Sequence, residues 1–164
     1  VDGLTKLIQT YRESLSGVKL WGPTFFKTVH ERVFQFIQEK LHFNLYHVLL
    51  ILTDGCIHDM RQTIDVIVQA SSFPLSIIII GIGNSDFANM AVLDADEFDL
   101  VDSNGREASR DIVQFVKYND YSGNIAMLAE QVLCEVPDQM VTYMMENGKK
   151  PTDINENEKK KPKK

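Results

Sequence analysis

The sequence predicts an α/β protein: a doubly wound, Rossmann-like, mostly parallel sheet, present only in part. Three observations carry this. Residues 46–52 (Tyr-His-Val-Leu-Leu-Ile-Leu) form an almost unbroken apolar run ended by Thr53-Asp54-Gly55, the pattern of a strand buried on both faces of a parallel sheet. Residues 75–83 repeat the pattern after a helix-length segment, which makes a right-handed βαβ unit. The third observation is an imbalance of three strand patterns against about five helical ones. A buried parallel strand needs neighbours on both sides. No segment before residue 46 reads as one, so the N-terminal strands of the sheet are expected to be missing.

The elements follow in order. Leu4, Leu7, Ile8, Tyr11 and Leu15 keep helical spacing, and Gly17 is a stop. Trp21-Gly22-Pro23-Thr24 is a turn whose Thr24 is placed to cap the next helix, striped by Phe26, Val29, Val33, Phe36, Ile37 and Leu41. After the 46–53 strand, a helix over 59–72 turns Met60, Ile64, Ile67 and Val68 inward, with Asp59 near the positive end of its dipole. Phe73-Pro74 leads to the second strand, and a short helix over 87–92 leads to an acidic loop, 94–102, read as solvated charge. Residues 110–116 alternate, as a strand nearer an edge does. A last helix over 124–136 carries Ile125, Leu128, Ala129, Val132 and Leu133; Pro137 kinks or restarts it, and Val141, Tyr143 and Met144 extend the packing.

Charge divides the chain. Residues 149–164 hold seven Lys and three acids, a net of +4, and read as a Lys-rich disordered tail behind a domain of 1–148. The preceding 148 residues carry ten basic against twenty acidic side chains, which argues against a phosphate-tracking nucleic-acid surface. Cys56 and Cys134 are too far apart for a zinc pair, the usage expected of reduced, cytosolic thiols. No apolar run approaches the roughly 18 residues of a membrane span. The first residues, Val1-Asp2-Gly3-Leu4, resemble neither a signal peptide nor an initiating Met, so a start inside something longer is expected.

Together these residues resemble the von Willebrand factor A-type domain of the copine family. The strand–Thr53-Asp54-Gly55 junction is similar to that domain's fourth-strand motif, and Trp21-Gly22-Pro23-Thr24-Phe25-Phe26 resembles the copine Gly-Pro-Thr turn. The 75–83 strand with Asp86-Phe87, the segment from Met90 to Asp94, Asp111-Ile112-Val113-Gln114-Phe115-Val116, and Glu135-Val136-Pro137-Asp138-Gln139 with Lys150-Pro151 extend the likeness over about residues 1–151. The resemblance implies a sheet of strand order 3-2-1-4-5-6, of which this chain would keep strands four to six. It also implies a metal-ion-dependent adhesion site, but the first strand's Asp-x-Ser-x-Ser motif occurs nowhere in the 164 residues. Only Thr24 and Asp54 carry over, as hydroxyl and carboxylate, and two oxygens do not hold magnesium tightly. Magnesium is therefore expected only together with the missing N-terminal half. Calcium and phospholipid binding are implied for upstream C2 domains that these residues do not include.

The reading that follows is a non-catalytic protein-interaction module of a calcium-dependent phospholipid-binding protein, cytoplasmic and recruited to the plasma membrane by calcium. Ligands of open α/β sheets bind at the carboxyl ends of the strands, so the partner-facing rim is expected at Trp21, Phe25, His58, Asp59 and Asp86. Asp54 beside His58 leaves one enzymatic alternative, a magnesium-dependent phosphoryl hydrolase; a truncated, non-functional or competing fragment is another. Gly81-Ile82-Gly83 does not signal a dinucleotide, because Asp86 replaces the third glycine and its carboxylate would oppose a pyrophosphate.

Overall fold

In the computed structural model, residues 2–19, 21–94 and 99–150 are described. The order is α1 (Gly3–Gly17), α2 (Lys27–Lys40), β1 (His47–Thr53), α3 (Met60–Ala70), β2 (Leu75–Gly81), α4 (Ala88–Leu93), β3 (Val113–Lys117), α5 (Ile125–Leu133) and α6 (Val136–Glu146). Short 3-10 turns over 41–43 and 118–121 connect some of them. The strands form one parallel sheet of order β1-β2-β3, with Leu49 opposite Ile77 and Ile77 opposite Val113. This is the mixed α/β, partly built Rossmann-like architecture that the apolar runs predict.

One face of the sheet is closed by helices. Leu49 and Ile51 of β1, Ile77 and Ile79 of β2 and Val113 and Phe115 of β3 pack in one cluster with Phe34 and Ile37 of α2, Ile67 of α3, and Met90 and Leu93 of α4. The spacing explains it: His30, Phe34 and Ile37, four and three residues apart, lie on one face of α2. Gly81 lets the Phe87 ring close over the end of β2, since a Cβ there would lie 3.0 Å from that ring. The other face is covered over β2 and β3 only. Ser76 hydrogen-bonds Gln139 of α6 at 2.6 Å, and Gln114 lies within 3.8 Å of Cys134 at the end of α5.

β1 departs from the expectation of burial on both faces. Val48, Leu50 and Leu52 are 50–60% exposed, alternating with half-buried neighbours. The outer edge of β1 is also unpaired among the described residues. The His47 N–H donates to Pro74 and the Thr53 carbonyl accepts from Ile82. By the two-residue period of a strand, the odd-numbered backbone groups therefore face β2, and those of Val48, Leu50 and Leu52 point away from it. A strand composed for a sheet interior thus stands at its margin.

Other expectations are corrected as well. α1 forms where predicted but buries nothing, leaving Leu4, Leu7, Ile8, Tyr11 and Leu15 exposed. The third strand begins at Val113, not Arg110. Arg110 instead spends its guanidinium on the carbonyls of Phe73 and Leu75 and lies over the rings of Tyr46 and Tyr143. The helix over 124–136 stops short, α5 ending at Leu133, and the restart expected at Pro137 is found as α6, where Pro137 sits in the first turn and its missing N–H costs no hydrogen bond. Of the apolar residues α5 carries, Leu128 and Val132 are half-buried, while Ile125, Ala129 and Leu133 are exposed.

The acidic loop is not simply solvated. Asp102 is 2% exposed and accepts from the Asn104 and Arg106 amides and from Arg106 Nε at 2.6 Å. These bonds, the Arg106 amide first and against the cost of burial, lower its pKa to about 2. Asp96 and Glu97 lie outside the described residues, as does the 151–164 part of the Lys-rich tail. No described helix is long and apolar enough to cross a membrane.

Candidate functional site at the carboxyl ends of the strands

β1 ends at Thr53, and the next six residues turn back under the loop that precedes α2. Asp59 makes the junction. Its Oδ1 accepts the Phe26 amide at 3.0 Å and its Oδ2 the Lys27 amide at 2.9 Å, while Thr63 Oγ1 donates to Oδ1 at 3.3 Å. A buried carboxylate thus caps α2 from a different part of the chain, meeting the positive end of that helix. This corrects two expectations. Thr24 does not cap α2, whose N-cap position is Phe26 without a side-chain cap of its own. Asp59 does not face a partner, being 7% exposed.

Thr24 is joined instead to His58, its backbone meeting both the ring and the backbone of the histidine. The Thr24 N–H donates to His58 Nδ1 at 3.2 Å and the His58 N–H donates to the Thr24 carbonyl at 3.0 Å. His58 Nδ1 is therefore an acceptor and its proton sits on Nε2. Two residues on, Phe26 is buried while Phe25 remains about half exposed. Trp21 is 89% exposed, with the Lys19 ammonium 5.8 Å from its ring. The loop is pinned from below and presents its aromatics outward.

The loop after β2 joins the same rim. Ser85 Oγ donates to the Asp54 carbonyl at 2.6 Å, and Asp86 Oδ1 accepts the Ala88 amide at 2.9 Å, opening α4. Asn119 Nδ2 donates to the Gly83 carbonyl and to Asn84 Oδ1, both at 2.8 Å, tying in the segment after β3. Ser85 and Asn119 carried no sequence signal, because a single hydrogen bond to a loop carbonyl imposes no spacing. Of the predicted rim, Trp21, Phe25, His58 and Asp86 lie on the surface and Asp59 underneath.

The donor set does not fit a magnesium shell. Asp54 is exposed at the strand end and Thr24 contributes one hydroxyl, whereas Asp59, the remaining carboxylate of the 54–59 loop, is committed to three donors. Among the described residues no three His, Cys, Asp or Glu side chains are grouped to hold a metal ion. Magnesium asks for near-octahedral oxygen coordination, and this rim offers too few free oxygens for it.

The sequence model of the copine family matches residues 1–152. The chain belongs to the copine family. Copine-C of Dictyostelium discoideum is 44% identical over 151 residues, covering 91% of this chain and 28% of that protein. Nicotinic receptor-associated protein 1 of Caenorhabditis elegans is 42% identical over 168 residues, 95% of this chain and 26% of its own length. Protein BONZAI 1 of Arabidopsis thaliana is 42% identical over 154 residues, 92% and 27%. The chain spans about a quarter of the length of these relatives, and the rim described above lies within the matched part of the copine domain.

Proposed function

We propose that this copine-family chain is part of a von Willebrand factor A-type domain that acts as a non-catalytic protein-interaction module. The observation that carries it is the cross-linked rim. The buried Asp59 cap and the Thr24–His58 pair fix two loops while leaving Trp21 and Phe25 in solvent. Exposed aromatics on a rigid base are the side chains that anchor protein partners. A C. elegans relative carries a receptor association in its name, in keeping with a role in holding other proteins. In this reading the intact protein binds phospholipid through calcium-dependent C2 domains outside these residues, at the cytoplasmic face of the plasma membrane. No metal is held tightly by Thr24 and Asp54 alone, and nucleic acid is not a partner of so acidic a body.

The phosphoryl-hydrolase alternative asks Asp54 and His58 to act together. Against it, His58 Nδ1 is already engaged with the Thr24 amide. Two measurements test the proposal. Turnover of para-nitrophenyl phosphate with magnesium should match background for the native chain and for Asp54→Ala alike; turnover that Asp54→Ala abolishes would contradict a non-catalytic role. Cross-linking in cell extract should lose its specific adducts in Trp21→Ala/Phe25→Ala and keep them in Ile125→Ala/Leu133→Ala, a pair equally apolar and exposed on α5. The reverse pattern would move the interaction face away from the rim.

A further inference from the structure

The base of the rim contains a second polar group with a different consequence. His30, on the first turns of α2, is 3% exposed. Its Nδ1 lies 2.8 Å from the Phe26 carbonyl, and its Nε2 is buried with no hydrogen-bond partner. A carbonyl only accepts, so the neutral ring must carry its proton on Nδ1, leaving Nε2 as an unpaired acceptor. Phe26 is thereby held at both ends: its amide by Asp59 and its carbonyl by His30. The two bonds fix the residue that follows Phe25 and comes two after the Thr24 bonded to His58.

We propose that His30 is an acid-sensitive latch: protonating its buried Nε2 releases the start of α2 and loosens the 21–26 rim loop. A proton on Nε2 adds a charge and a donor where nothing accepts it, and a buried charge without hydrogen bonds is costly. The charged groups around it do not remove that cost. Asp59, at the head of α3, acts through space to favour the imidazolium, and the Phe26 carbonyl does so locally, yet desolvation outweighs both and lowers the His30 pKa below its ordinary value. On its own helix, Lys27 and Glu31 lie 3.7 Å apart at the surface. His58 is turned to Thr24. The core side chains that α2 covers, among them Ile57, Ile67 and Ile77, are apolar.

The sign follows from linkage. A histidine whose folded pKa is depressed binds its proton more readily when unfolded. The stabilisation is complete above the unfolded value near 6.5 and falls as pH drops below it toward the lowered folded value. The latch is thus closed at neutral pH and opens in mildly acidic conditions. It concerns the loop itself and stands whether or not the rim binds a protein.

Amide exchange followed by NMR on the 164-residue chain, corrected for intrinsic rates, tests it between about pH 7 and pH 5. The expected result is a selective loss of protection at Phe26, Lys27 and His30, about tenfold over that interval, while Ile77 and Ile79 in β2 stay protected. His30→Gln should make those rates nearly independent of pH. If that variant does not fold, the imidazole nitrogen shifts of the native chain decide: an Nδ1-protonated ring titrating below 6.5, in step with the Thr24 and Phe26 amides, supports the latch. A His30 that titrates at its ordinary value, or protection that is lost with His30 still neutral, overturns it.

Discussion

Asp59 and Asp102 are both buried acids with several donors each, and neither role was legible from spacing. Asp59 does occupy the N-cap position of α3, as its place before that helix suggested; what spacing did not show is that its carboxylate caps α2, a partner more than thirty residues away that only the fold brings near. Helix caps contribute about 0.5–2 kcal/mol and hydrogen bonds to charged groups about 1.5–3. Asp59→Ala, which strands two amides, should therefore cost about 2–3 kcal/mol in urea unfolding, with Asp59→Asn milder. Asp102 contributes stability that is complete above its unfolded value near 3.8 and is lost as pH falls toward about 2. Asp111 runs the other way: burial raises its pKa, against bonds from the Val113 amide and Gln139, so it weakens the fold as pH rises above the unfolded value. Denaturation midpoints between about pH 5 and pH 2 should fall less steeply in Asp102→Asn and more steeply in Asp111→Asn than in the native chain.

The elements were largely legible, and their surroundings were not. Continuous apolar runs located β1 and β2 because a strand buried between layers has no polar face to show. The same composition could not say that β1 would lie at a margin, since residue order does not record whether a neighbour is present. Helical spacing likewise located α1 and α5 but overstated what they bury. A helix face is apolar for whatever covers it, and among the described residues α1 and α5 bury no side chain. Two substitutions separate these cases by thermal or urea unfolding. Ile79→Ala, in the middle of β2, should cost about 2–5 kcal/mol. Leu50→Lys, on the open face of β1, should change stability by no more than about 0.5 kcal/mol, while reducing self-association on a sizing column.

At the scale of the whole molecule, a three-stranded parallel sheet closed on one face is joined to a β1 margin that is apolar, unpaired among the described residues and without a Lys or Pro in the strand to protect it. Proteins ordinarily guard such edges. The copine relatives are about four times longer than the matched segment, so this margin fits a seam toward further strands of an A-type sheet. The rim loops, by contrast, are bound to one another through Asp59, Thr24, His58 and Ser85 entirely within the chain. That division, a self-supported rim beside an unfinished sheet, is what the functional reading rests on. Amide exchange along β1 in dilute solution tests it most directly. The account predicts that Val48, Leu50 and Leu52, whose amides point away from β2, exchange rapidly while Leu49, Ile51 and Thr53 are protected. Uniform protection along all of β1 would contradict it.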